Sequence, residues 1–219
     1  MTESWTASYI TEEISELIRR PTALLIVDMQ NDFISEDGKI ASAYGLKSLQ
    51  QIVPRIRRIS DQFRLVRYPV FFTRMVYRRD YSDAGKRSRS RLLGALQEGS
   101  WGAEIVRELR PKKGDYLINK QRASSFYQTN LDMILKNLKV ETLVITGVAT
   151  NVCVESTARD ALFRDYDCVI LSDCVATKDP QIQRASLRFM NEFTSVVTTS
   201  SHLAKCIAKL SESVRPEGS

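Results

Sequence analysis

The stretch Thr142-Leu-Val-Ile-Thr-Gly-Val-Ala-Thr-Asn-Val-Cys-Val-Glu-Ser-Thr-Ala158 decides the fold. Its apolar run Leu143–Ile145 predicts a buried strand, and Gly147 punctuates the end of it. Polar Thr150 and Asn151 then lead into a helical pattern in which Val154, Ala158, Ala161 and Leu162 share one apolar face. Cys153 therefore falls in the first turn of a helix that starts just past the carboxyl end of a strand. Free backbone N–H groups and the positive end of the helix dipole stabilise an anion there, so the thiol is expected to lean toward thiolate. A free cysteine is also a common small core residue, so chemistry at Cys153 requires a base, a cation and a pocket from elsewhere in the chain.

Upstream, Ala23–Val27 is another continuous apolar run, of the kind found in a parallel sheet covered on both faces. It ends on Asp28, followed by Met-Gln-Asn-Asp-Phe33. Side chains just past strand carboxyl ends line the binding crevice of an open α/β sheet, which makes Asp28 a chemical candidate and Phe33 a candidate pocket wall. A helix is expected over 46–64 with Leu49, Ile52, Val53, Ile56, Ile59 and Phe63 inward, and Pro54 marks a kink or a late start. Pro69–Thr73 reads as a strand. Residues 74–110 are basic and irregular, with isolated Tyr77, Tyr81 and Trp101 and a short helix expected near 103–109. A connection this long in a compact domain is commonly functional, and it is read as the substrate-facing region.

Tyr116–Lys120 is a further strand and ends on Lys120. Ser124 or Ser125 is expected to cap the next helix, which carries Tyr127, Leu131, Ile134, Leu135 and Leu138 as its apolar stripe. Beyond the cysteine helix, Cys168–Leu171 reads as a strand ending near Asp173. A helix from Pro180 is expected to turn Ile182, Ala185, Phe189 and Phe193 inward, before a last strand at Ser195–Thr198 and a terminal helix with Leu203, Ile207 and Leu210. Six strands alternating with helices predict a single-domain α/β fold, a doubly wound six-stranded parallel sheet with helices on both faces. Residues 1–20 are expected to form an arm, 21–210 the domain and 211–219 a flexible tail.

Composition narrows the function. The net charge of +6 comes largely from arginines concentrated between Arg55 and Arg91, but no nucleic-acid recognition motif accompanies them, and solvated helix faces explain them better. Four cysteines without a C-x-x-C pair argue against a disulfide framework or a zinc site and for a reducing compartment. The first 20 residues are acidic and lack the apolar core of a signal peptide. No stretch approaches the roughly 20 apolar residues of a membrane span. A cytoplasmic protein with neither a membrane nor a nucleic-acid partner is expected.

Asp28, Lys120 and Cys153 all sit at strand carboxyl ends, and the topology converges them on one sheet edge. A carboxylate can take the thiol proton, a neighbouring ammonium favours the thiolate, and the protonated carboxyl can then serve a leaving amine. At these residues the chain resembles the isochorismatase-like cysteine hydrolase superfamily, from about Ala23 to Thr199. The matching motifs are Leu25-Ile-Val-Asp-Met-Gln-Asn-Asp-Phe33, Lys120-Gln-Arg-Ala-Ser-Ser-Phe126 and Gly147-Val-Ala-Thr-Asn-Val-Cys-Val-Glu-Ser-Thr157.

The resemblance implies a catalytic triad of Asp28, Lys120 and Cys153 and a cis peptide between Val148 and Ala149. It also implies an oxyanion hole at Val148–Ala149 built from the N–H groups of Ala149 and Cys153. The reaction it implies is hydrolysis of a small amide, N-carbamoyl or ureido compound through a covalent Cys153 intermediate, without a cofactor, in a homo-oligomer of two or four chains. Segments resemble both N-carbamoylsarcosine amidase and the ureidoacrylate and biuret amidohydrolases. Nicotinamidases carry an Asp/His-rich metal site between the second and third strands, which a chain whose only histidine is His202 cannot build from histidines. Phe33, Arg74, Tyr77 and Trp101 are the substrate-binding candidates, with Arg74 or another arginine of the 74–91 loop expected to hold a substrate carboxylate. Isochorismatase activity, a silent binding relative and a redox-sensing thiol are the alternatives.

Overall fold

In the computed structural model, which describes residues 14–45, 47–86, 88–92 and 94–213, six strands form one parallel sheet. They are β1 (Thr22–Val27), β2 (Val70–Met75), β3 (Tyr116–Lys120), β4 (Thr142–Val148), β5 (Asp167–Ala176) and β6 (Val196–Thr198), in the order β3-β2-β1-β4-β5-β6. The order reverses between β1 and β4, and a doubly wound sheet opens its ligand crevice at that switch point. The two central strands are buried along their whole length, which is why both read as unbroken apolar runs.

The helices are α1 (Asn31–Ile34), α2 (Lys39–Tyr44), α3 (Val53–Leu65), α4 (Leu131–Asn137), α5 (Glu155–Leu162), α6 (Pro180–Phe193) and α7 (Ser200–Ser213). Alternate residues of each strand feed opposite faces. Leu24 and Ile26 of β1 join a core with Ile56, Ile59 and Phe63 of α3, Leu203 and Ile207 of α7, and Ile14 and Ile18. Ala23, Leu25 and Val27 join a second core with Leu131 and Leu135 of α4, Ala158 and Ala161 of α5, and Met190 of α6. The expected arm over 1–20 and tail over 211–219 lie mostly outside the described residues.

Several local expectations are revised. Pro54 sits in the first turn of α3, so it marks a late start, and a 3-10 segment Lys47–Ile52 precedes it. The helix expected near 103–109 is two separate 3-10 turns, Trp101–Ala103 and Arg107–Leu109. α4 begins only at Leu131, where the Thr129 hydroxyl accepts the Leu131 N–H at 3.2 Å, so neither Ser124 nor Ser125 is its cap. β5 outruns Leu171 by five residues. Its register against β4 slips between Ile145↔Ile170 and Gly147↔Val175, a bulge that bends the edge of the crevice.

The inward stripe of α6 is Ser186 and Met190, while Ile182 and Phe193 face outward. Leu162 is likewise exposed, leaving Ala158 and Ala161 as the inner face of α5.

Candidate active site

Gly147 makes the crevice possible. Its φ is +110°, and a Cβ there would lie 2.0 Å from the Val27 carbonyl oxygen. Only glycine lets β4 turn so close to β1. The next peptide, Val148–Ala149, is cis, as the resemblance implies. Thr150–Val154 then form one wide π turn before α5, a local widening found often at functional sites. Among the described residues the Ala149 N–H has no acceptor. Two buried oxygens of the same turn, Thr150 Oγ1 and Asn151 Oδ1, also lack partners, and polar groups left this way in a native fold await a ligand or water.

Asp28 ends β1 with a left-handed φ of 52°, a conformation aspartate tolerates better than most residues. The Thr73 hydroxyl donates to its Oδ1 at 3.0 Å, and Lys120 Nζ donates to its Oδ2 at 2.6 Å. The remaining hydrogens of Lys120 reach the carbonyls of Arg122 at 3.1 Å and Ala123 at 3.0 Å. An ammonium has three hydrogens to give, and all three are committed. Both side chains are fully buried. Burial works to lower the pKa of Lys120, but the Asp28 carboxylate and then Cys153 outweigh it, and the net direction is up. The ammonium is therefore a fixed charge.

Cys153 sits beside this pair, buried in the second core. Burial pushes its thiol up to about 12; Lys120 pulls it down, and Asp28 pushes it up again. The expectation of a resting thiolate is thus corrected. Loss of hydration outweighs the helix start and the ammonium together, so the resting group is a neutral thiol next to a carboxylate able to take its proton. The Thr157 hydroxyl lies 2.6 Å from the Cys153 carbonyl and accepts the Ser125 N–H at 3.0 Å, which ties the cysteine turn to the chain leaving β3.

The substrate-binding candidates divide. Tyr77 is buried and donates to the Gln121 carbonyl at 3.3 Å. Burial first, then Cys153 and Asp28, raise its pKa and keep the phenol neutral. Phe33 is half-buried against a small cluster of Ile40, Tyr77, Ala84, Leu92, Ala95 and Leu96 that roofs this end of the sheet. Trp101 is exposed; its carbonyl accepts Asn31 Nδ2 at 2.8 Å and the Glu104 N–H at 3.1 Å.

Arg74 is not brought to the triad. Met75 is the register partner of Lys120, and Arg74 that of Asn119, so strand alternation points Arg74 to the opposite face. It is bound there to Glu104 at 3.0 Å and Asn119 at 2.8 Å. Five more basic residues (Arg57, Arg64, Arg107, Arg110 and Lys112) line a cavity of about 420 Å³ beside α3, also away from Cys153. His202 meets Thr198 Oγ1 at 3.1 Å on the terminal helix.

Sequence reasoning passed over two clamps in the Asp28–Phe33 motif. Gln30 Nε2 donates to the carbonyls of Met75 at 2.8 Å and Ala103 at 2.9 Å, and its Oε1 accepts the Met75 N–H at 2.7 Å. Asp32 accepts the N–H groups of Lys39 at 3.0 Å and Leu96 at 2.7 Å. Its carboxylate lies so near Gly102 that an added Cβ would come within 2.1 Å. The only signal for them was a run of polar residues directly after a buried strand.

Comparison with known proteins adds lineage to this geometry. A sequence family described as "Isochorismatase domain" matches residues 22–202. The ureidoacrylate amidohydrolase RutB of Serratia proteamaculans is 34% identical over 190 residues, covering 78% of this chain and 77% of that protein. Its counterpart in Yersinia enterocolitica is 34% identical over 205 residues, covering 85% and 89%. Among solved structures, a cysteine hydrolase from Pseudomonas syringae pv. phaseolicola superposes with a TM-score of 0.79 at 29% identity, covering 86% of this chain and 93% of that one. N-carbamoylsarcosine amidase from Thermoplasma acidophilum gives 0.70 at 31% identity, covering 82% and 96%.

Proposed function

We propose that this chain, which belongs to the isochorismatase family, is an amidohydrolase that cleaves the C–N bond of a small ureido or N-carbamoyl compound through a covalent intermediate on Cys153. The observation that carries this reading is the saturated, buried Asp28–Lys120 pair beside a neutral thiol. Such a pair is an expensive element unless the site uses its charges.

Asp28 takes the thiol proton as Cys153 Sγ bonds to the substrate carbonyl carbon. The carbonyl oxygen becomes an oxyanion, which the Ala149 and Cys153 N–H groups stabilise; donors aimed at such an oxygen contribute about 3 kcal/mol each. The C–N bond breaks, and protonated Asp28 passes its proton to the departing nitrogen, releasing ammonia or an amine. Water then adds to the thioester-type intermediate, Asp28 accepts its proton, and the acid leaves with return of that proton to Sγ. Lys120 gives up no proton in this cycle. Its ammonium offsets the carboxylate charge when Asp28 is ionised and the thiolate charge when Asp28 is protonated.

Identities of about 34% to proteins named ureidoacrylate amidohydrolase support a ureido acid as the substrate class, with N-carbamoyl amino acids next. The test is an ammonia-release screen over ureidoacrylate, N-carbamoyl amino acids, biuret and maleamate, run with wild type and with Cys153→Ala. Turnover that disappears in the folded variant, with an acyl adduct on Cys153 in the mass spectrum of quenched wild type, is the expected result. Turnover unchanged in Cys153→Ala refutes the covalent mechanism.

A further inference from the structure

Arg57 and Arg64, two of the arginines that crowd the sequence between Arg55 and Arg91, meet three more cations around one cavity. On α3, Arg57, Ser60, Asp61 and Arg64 recur at i, i+3, i+4 and i+7, so they form one polar stripe along the helix. The turn Arg107–Leu109 packs against that helix, and Arg107, Arg110 and Lys112 supply the opposite wall. The space between the two walls is about 420 Å³, and buried Leu109 is its apolar part.

The five cations divide into two sets. Arg64 and Lys112 are committed within the protein. Arg64 forks onto Asp115 through Nε at 3.1 Å and Nη2 at 2.7 Å, and its Nη1 reaches Asp61 at 2.9 Å and Ser60 Oγ at 3.0 Å. Lys112 donates from Nζ to Asp61 and from its backbone N–H to Asp115, each at 2.7 Å. This network fixes the two walls relative to each other. Arg57, Arg107 and Arg110 are different: they are exposed, and among the described residues no carboxylate pairs with them. Five cations thus share the lining with two carboxylates, Asp61 and Glu108, and Asp61 is already bound by two of them. A cleft walled by one sign of charge focuses its field on a ligand of the other sign.

Guanidinium forks suit carboxylate and phosphate oxygens alike, and the two-walled placement separates these ligands. A carboxylate holds both oxygens in one plane and serves one wall. A tetrahedral phosphate presents oxygens in several directions, and two linked phosphates meet guanidiniums of both walls at once. We propose that this cavity binds an oligophosphate, inorganic or carried by a nucleoside, through Arg57, Arg107 and Arg110, with Arg64 and Lys112 as fixed background charge. The site lies away from Cys153 and stands whether or not the hydrolase reading does.

The test is isothermal titration calorimetry of the full chain with inorganic pyrophosphate, ADP and citrate at one ionic strength. Wild type should bind pyrophosphate saturably with a Kd below about 1 mM. Arg107→Gln/Arg110→Gln, with an unchanged circular dichroism spectrum, should weaken that binding at least about tenfold. Arg78→Gln/Arg79→Gln removes the same two charges from another exposed part of the chain and should bind like wild type. Wild type without saturable pyrophosphate binding overturns the proposal. So does equal weakening in the two double variants, the mark of attraction to net charge alone. Citrate bound as tightly as pyrophosphate refutes the phosphate assignment. ADP bound at least about tenfold tighter than pyrophosphate gives the rest of the cavity to a nucleoside, and an affinity for ADP no higher than for pyrophosphate makes the inorganic ion the ligand. Should the Arg107/Arg110 variant misfold, Arg57→Gln alone must show the loss; wild-type affinity in it overturns the proposal.

Discussion

Replacing Lys120 by methionine keeps the stem and removes the ammonium, which isolates what that charge does. Asp28 Oδ2 loses its partner at 2.6 Å, Oδ1 keeps only Thr73, and the Arg122 and Ala123 carbonyls lose theirs. Breaking a fully buried pair from one side destabilises by about 3–5 kcal/mol. Each orphaned carbonyl adds about 1–3 kcal/mol.

A loss of at least about 5 kcal/mol follows, and at roughly 2–4 °C per kcal/mol for a chain of this size the melting temperature falls by at least about 10 °C. Urea denaturation gives the free energy directly. The companion variant Asp28→Leu/Lys120→Met removes both charges and should lie closer to wild type than the Lys120→Met single variant. Without the ammonium the Cys153 thiol is harder still to ionise, so its alkylation by iodoacetamide at pH 8 should slow. A loss below about 1 kcal/mol, a double variant as unstable as the sum of the singles, or faster alkylation would refute the account of Lys120 as a fixed, saturated charge.

Gly147→Ala should unfold the protein or lower its stability by more than about 3 kcal/mol, since its Cβ would sit 2.0 Å from a backbone oxygen of a central strand at φ +110°; a urea midpoint near wild type counts against so close an approach of β4 to β1. Burial pushes the Cys168 thiol up from 9.0 to about 12, with Asp167 adding to it. Between those values the unfolded chain sheds the proton and the folded chain keeps it, so stability falls as pH rises, by about 1.4 kcal/mol per pH unit for that thiol. In Cys168→Ala the decline above pH 9 should be shallower by that amount, measured from urea midpoints between pH 8 and 11; parallel slopes would show that the thiol titrates alike in both states.

The strands and the three converging residues were legible because their cause is local. Buried parallel strands read as apolar runs, and Asp28 and Lys120 announce themselves by ending such runs. What failed depended on neighbours that the sequence does not name. Ile182, Ala185, Phe189 and Phe193 have helical spacing as good as any core stripe, yet only Phe189 packs against the core, and the sheet meets the Ser186–Met190 side. Periodicity finds an apolar face but not what it faces. Arg74 was misassigned for want of register, since one residue of slip between β2 and β3 decides which side of the sheet it serves. The ionisation of Cys153 turned on depth: a helix start argued for thiolate, and burial of the whole turn argued harder the other way.

The clamps made by Gln30 and Asp32 carry a consequence for how such a chain can diverge. They hold the backbone at Met75 and again at Leu96, the two ends of the segment. Exposed residues between those anchors, such as Arg78, Arg79 and Asp80, can change in charge with the anchors intact, whereas Tyr77, Ala84, Leu92 and Ala95 pack with Phe33 and Met75 and belong to the anchored part. Exchanging that segment between relatives should transfer preference for the non-reacting part of a substrate and leave the reacting atoms where they were.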